Sequence, residues 1–122
     1  MSKAQSAARA YSAHSVQTKS LRDQEYEVIL EVTRQMKRLH SQKTPQFEEV
    51  IVALNKNERL WNTIGAQVAD DANELPQALR AGLLYMSRFV AVQTGKVLRE
   101  KSDFASLVEM NIAVLRGLKG AT

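Results

Sequence analysis

Any chemistry in this chain has to come from a short list of side chains: two histidines, an acidic cluster and one tryptophan. His14 and His40 stand too far apart in sequence to form a local metal pair, and His40 falls at the end of a helical pattern, where a cation complements the helix dipole. Asp70, Asp71 and Glu74 crowd three carboxylates into one turn but lack the spaced ligands of a calcium loop, which fits a solvated turn better than a cation site. No HExxH, P-loop, GxSxG or glycine-rich dinucleotide turn occurs. The expectation is therefore no catalytic residue, no metal, no cofactor and no enzyme activity. Trp61, inside the run ALNKNERLWNTI, lies at helical spacing from Ile64 and Val68. That spacing predicts core packing, with the indole N–H needing one polar partner that Asn57, Asn62 or Asn73 is close enough in sequence to supply.

The elements that must position these residues read as helices. Ser20 serves as a cap for a first helix carrying Leu21, Val28, Val32, Met36 and Leu39 on one face. The loop SQKTP follows, with Thr44 as cap and Pro45 as first residue of a second helix whose stripe is Phe47, Val50, Ile51 and Leu54. Asn55, Lys56 and Asn57 interrupt that stripe, and asparagine favours caps over helix interiors, so a break is expected there with Asn57 capping a third helix. Gly65 inside the third helix signals close approach of a neighbour. In ANELPQALR, Asn73 is the expected cap, Leu75 the staple and Pro76 the first residue of a long helix to about Lys101, with Leu79, Leu83, Met86, Val90, Gln93 and Val97 on its face. Ser102 and Asp103 open a last helix bearing Phe104, Leu107, Val108, Asn111, Leu115 and Leu118, which Gly117 and Gly120 end. The expected fold is an all-α, single-domain bundle of about five helices.

A chain of 122 residues suits one domain, and without cysteine it suits a reducing compartment. No apolar run of about 18 residues is present and the first residues carry no secretory apolar stretch, so cytoplasmic placement without membrane insertion is expected. The whole net charge of +4 lies in the first 22 residues, in Lys3, Arg9, Lys19 and Arg22, where no acidic residue occurs. Few apolar groups accompany them, so residues 1–19 are expected to form a flexible basic tail and residues 20–122 the bundle. Four scattered charges without interleaved aromatics are a weak nucleic-acid signal.

The segments ARAY around Tyr11, SLRDQEYEVI, ALNKNERLWNTI, ANELPQALRAGLLYMSRFV and LVEMNIAVLRGL together resemble the flagellar protein FlaF family of alphaproteobacteria, over a span from Tyr11 to Leu118. Its motif positions here are Tyr11, Asn57, Arg59, Leu60, Trp61, Asn73, Leu75, Pro76, Leu79, Arg80, Asn111, Gly117 and Leu118. Glu58 between Asn57 and Arg59, and Ser20-Leu21 where a proline is expected before Arg22, are mild departures. The resemblance implies a small cytoplasmic helical protein that acts as a positive regulator of flagellin and as its secretion chaperone. Flagellin is then the expected partner, with a companion flagellin regulator or flagellin messenger RNA as the alternative target. The last two helices carry more apolar residues than one face needs. Leu84, Phe89, Val92, Met110, Ile112 and Val114 are accordingly the candidate client-binding residues, with bundle filling or a homodimer seam as the competing role. Met86 and Met110 would let such a surface adapt.

Overall fold

A computed structural model describes the backbone of residues 19–120 and the side chains of residues 26–117, Leu79 excepted. Most of the expected basic tail, Tyr11 included, lies outside the described residues, as do the side chains of Leu21, Leu79 and Leu118. Four helices and no strand occur among the described residues: α1 Lys19–His40, α2 Phe47–Ala69, α3 Gln77–Glu100 and α4 Ala105–Gly120. Their short connections make consecutive helices antiparallel neighbours. The α2–α3 pair packs most extensively, α1 packs on both α2 and α4, and α3 meets α4 over a small area. The helices therefore form a ring in chain order, with α2 and α4 diagonally opposed.

The expected break at Asn55–Asn57 does not occur, and four helices replace the expected five. The buried positions of α2 are Val50, Ala53, Leu54, Asn57, Trp61, Gly65 and Val68, a single helical stripe in which Asn57 keeps register. An asparagine breaks a helix when its side chain turns back on its own backbone. Here that side chain is engaged across the core instead, and the helix runs on. In α1 the core stripe takes Ile29, Val32, Met36 and Leu39, leaving Val28, expected in the stripe, 48% exposed. Ser20 lies within α1 rather than capping it.

Helix ends differ from expectation by a residue or two. Helix α2 starts at Phe47 after an extended Gln46, not at Thr44 and Pro45, and Glu48 and Glu49 in its first turn suit the dipole. At its far end the last turn holds no basic residue of its own. Arg80 of α3 supplies the charge: its Nε donates to Val68 O at 2.8 Å and its Nη2 to Asp70 O at 2.9 Å, pairing carbonyls that a helix end leaves open. Asn73 does not cap α3 directly. Its amide donates to Gln67 O at 2.9 Å and its Oδ1 accepts from Leu75 N at 3.0 Å, folding the chain into the short turn before Pro76 and Gln77. Helix α3 ends at Glu100 with Lys101 left-handed at φ 52°, its N–H bonded to Val97 O. Asp103 rather than Ser102 caps α4, accepting from Ala105 N at 2.6 Å, and Gly117 sits inside that helix.

Gly65 permits the tight α2–α3 contact, as expected of a glycine in a helix interior. A Cβ there would stand 2.9 Å from Ser87 Cβ and nearer still to Oγ, which itself donates to Trp61 O at 3.0 Å. Alanine gains about 1 kcal/mol of helix propensity, but the collision costs about 1–3 kcal/mol because Ser87 Cβ is fixed to its backbone. Gly65→Ala is therefore expected to lower unfolding stability, read by urea denaturation with Trp61 fluorescence. The same change in a Ser87→Gly background is expected to be neutral or stabilising.

Candidate functional site

Trp61 is fully buried, and its partner is not one of the asparagines near it in sequence. The indole Nε1 donates to Asn111 Oδ1 at 3.0 Å, and Asn111 Nδ2 donates to Asn57 Oδ1 at 2.7 Å. Three family-motif positions thus meet in the core, joining α2 to the diagonally placed α4. Asn57 Nδ2 is buried with no partner among the described residues, as is Thr94 Oγ1.

Next to this core lies an open groove of about 610 Å³ between α1 and α2. Ile29, Trp61, Leu83 and Val114 form its floor, and these four are buried. Val28 and Val32 of α1 face Leu60 and Ile64 of α2 as apolar walls. Along the rim, α1 places Glu31 and Gln35, while α2 places Lys56, Arg59, Thr63 and Gln67. Arg59, Leu60 and Trp61 of the motif block therefore line a surface that reaches solvent. Two cues for it were present in the sequence: the adjacent Val28 and Ile29 are wider than one core stripe requires, and Leu60 and Ile64 flank Trp61.

The six residues expected to bind a client do not form one open face. Met110 is 9% exposed and Val114 2%, both within the core. Leu84, Phe89 and Ile112 are partly buried and pack against it, and Met86 is fully buried. Only Val92, at 72% exposure, stands out into solvent. Val114 alone among the six reaches the groove, as part of its floor.

No group of three or more His, Asp or Glu among the described residues is placed to hold a metal. In the acidic turn, Asp70 Oδ1 accepts from Ala72 N at 2.8 Å, a local turn bond. His40 does more than meet its own helix dipole. Its Nε2 lies 2.9 Å from Asp103 Oδ2 and its ring packs edge-on to Phe104 with centroids 5.1 Å apart, tying the end of α1 to the start of α4. The Ala105 N–H, and then His40, hold the Asp103 carboxyl below its ordinary value of 3.8. No described helix is long and apolar enough to cross a membrane.

The family model of flagellar protein FlaF matches residues 7–118. No curated protein and no solved structure matches the chain.

Replacing Asn111 by leucine leaves the indole N–H and Asn57 Oδ1 unpaired in the core, at roughly 1–3 kcal/mol each. Asn111→Leu is expected to destabilise by about 2–6 kcal/mol in urea denaturation, with Asn57→Leu/Asn111→Leu costing less than the sum of the single changes. For Asp103, a lowered carboxyl pKa stabilises the fold above the unfolded-state value and loses that effect as pH falls through the folded-state value. The stability difference between wild type and Asp103→Ala is accordingly expected to be full above about pH 5 and to shrink toward pH 2. Paired denaturation curves across that range check the sign.

Proposed function

The chain belongs to the FlaF family of flagellar proteins, and from that premise we propose that it binds flagellin in the cytoplasm as a secretion chaperone, promoting flagellin production and export. Flagellin subunits join through long amphipathic terminal helices, and a chaperone for them must cover apolar helical surface until export. The observation that carries this reading is the α1–α2 groove, an apolar trough with a polar rim, open to solvent and about 610 Å³ in volume. Such a trough suits an amphipathic helix and offers no arranged nucleophile, acid or base, which favours binding over catalysis. The client surface is thereby assigned to Val28, Val32, Leu60 and Ile64 rather than to the outer residues of α3 and α4. The competing reading, action on flagellin messenger RNA through the basic N-terminal residues, needs no groove.

Purified full-length protein is expected to co-elute with monomeric flagellin in size-exclusion chromatography and to slow its polymerisation. Val28→Asp places a charge in the wall at a half-exposed position, so helicity should be unchanged while flagellin affinity drops at least about tenfold. Retained flagellin affinity in that variant, or binding of flagellin messenger RNA without flagellin, overturns the reading.

A further inference from the structure

We propose that the groove is selective for the charge pattern of its occupant: it takes about three turns of an amphipathic α-helix whose acidic flank lies along α2 and whose polar or basic flank lies along α1. The proposal rests on the chaperone reading for the biological source of that helix, but its geometry stands on the groove alone. Lys56 to Gln67 on α2 spans about 16 Å at about 1.5 Å per residue, which sets the length. Apolar residues of the occupant at i, i+3 or i+4, and i+7 would then meet Val28, Val32, Leu60 and Ile64.

An extended peptide fits poorly. Both walls are helices with their backbone groups already paired, so a strand laid between them would leave its own N–H and C=O groups unsatisfied against apolar side chains. A helix satisfies those groups internally. The floor offers a polar small molecule no anchor, because the one indole N–H there is already donated to Asn111, which leaves the polar rim to act on the flanks of a larger occupant.

The rim decides the flanks. Lys56 and Arg59 stand one turn apart on the α2 edge, and Glu31 stands on the α1 edge with Gln35 one turn further. Among the described residues none of these charges has an ion-pair partner. A helix with acidic residues toward α2 satisfies both edges, whereas the reversed pattern places like charges on each side.

The same signs disfavour the occupants this chain itself could supply. Residues 1–18 contain no acidic side chain to meet Lys56 and Arg59. A second copy presenting the outer face of α3, where Val92 is exposed, would bring exposed Arg88 and Lys96 with it.

The test uses full-length protein and two synthetic helical peptides of about 18 residues with the same leucine stripe, one with a glutamate row on the α2-facing flank and lysines opposite, the other with the rows exchanged. Anisotropy titrations are expected to show the first binding about tenfold tighter at low ionic strength, with the gap closing as salt rises. Lys56→Glu/Arg59→Glu, both exposed positions, is expected to reverse the preference, and Val28→Asp to weaken both peptides. Equal affinities, a preference unmoved by the charge reversal, no binding, or cross-links from the groove edge to residues 1–18 or to a second copy in place of peptide each overturn the proposal. Selective peptide binding together with flagellin binding that survives Val28→Asp would sink the flagellin reading while leaving the groove's selectivity intact. Flagellin binding lost in Val28→Asp, with peptide preference indifferent to charge, would do the reverse.

Discussion

Asn111 uses its carboxamide in both directions at once, donating to Asn57 and accepting from Trp61, and so joins α2 to α4 through the middle of the bundle. Apolar faces alone permit sliding and rotation, since many packings bury similar area. A carboxamide that must reach an acceptor and a donor one turn apart on the facing helix does not: displacing either helix by a residue breaks both bonds and strands buried polar atoms. The large indole is thereby fixed in one orientation, and the rest of the core packs around it. Every neighbouring feature, from the Ser87 bond to the Trp61 carbonyl to the groove floor, inherits that placement.

Helix α2 is drawn toward α3 along the half that follows Trp61. Gly65 removes the side chain that would hold the two apart, and Arg80 and Asn73 clamp the α2–α3 turn by bonding the last carbonyls of α2. The opposite end of the molecule is held by other means. His40 reaches Asp103, Phe104 packs on the imidazole, and Lys101 Nζ sits 5.0 Å from the Phe47 ring centroid. With α2 committed to α3 at one end and the α1–α2 turn secured at the other, the described residues leave the space between α1 and the second half of α2 uncovered. The groove follows from where the fastenings lie.

Much of this was legible in the sequence. Helical class, the long α3 within a residue at either end, the close approach at Gly65 and the burial of Trp61 all follow from short-range periodicity. Asn57 misled because propensity describes what asparagine does with its own backbone, whereas its fate here is decided by Asn111, 54 positions away. The partner of Trp61 was missed for the same reason. Surplus apolar residues on α3 and α4 suggested a client surface there, yet Met110 and Val114 face inward and Leu84, Phe89 and Ile112 close the bundle's flanks. An apolar count measures how much must be covered and not which neighbour covers it. The open surface instead lies beside α1, where Val28 is a single residue out of register with Ile29.

A trough of this size between two helices would ordinarily shrink, because closing it restores dispersion contacts and removes apolar area from water. Collapse requires α2 to tilt toward α1 or α1 to roll inward. The first would pull Trp61 away from Asn111 and Ser87 away from the Trp61 carbonyl. The second would carry the buried Thr33 and Met36 out of their places against the core. The polar contacts of α2 thus act against the contraction that packing alone favours. On the proposed reading, a partner helix would meet walls already in position and lose little affinity to rearrangement. The buried asparagines and the exposed valine are two ends of one arrangement: bonds that fix the floor are what keep the wall apart.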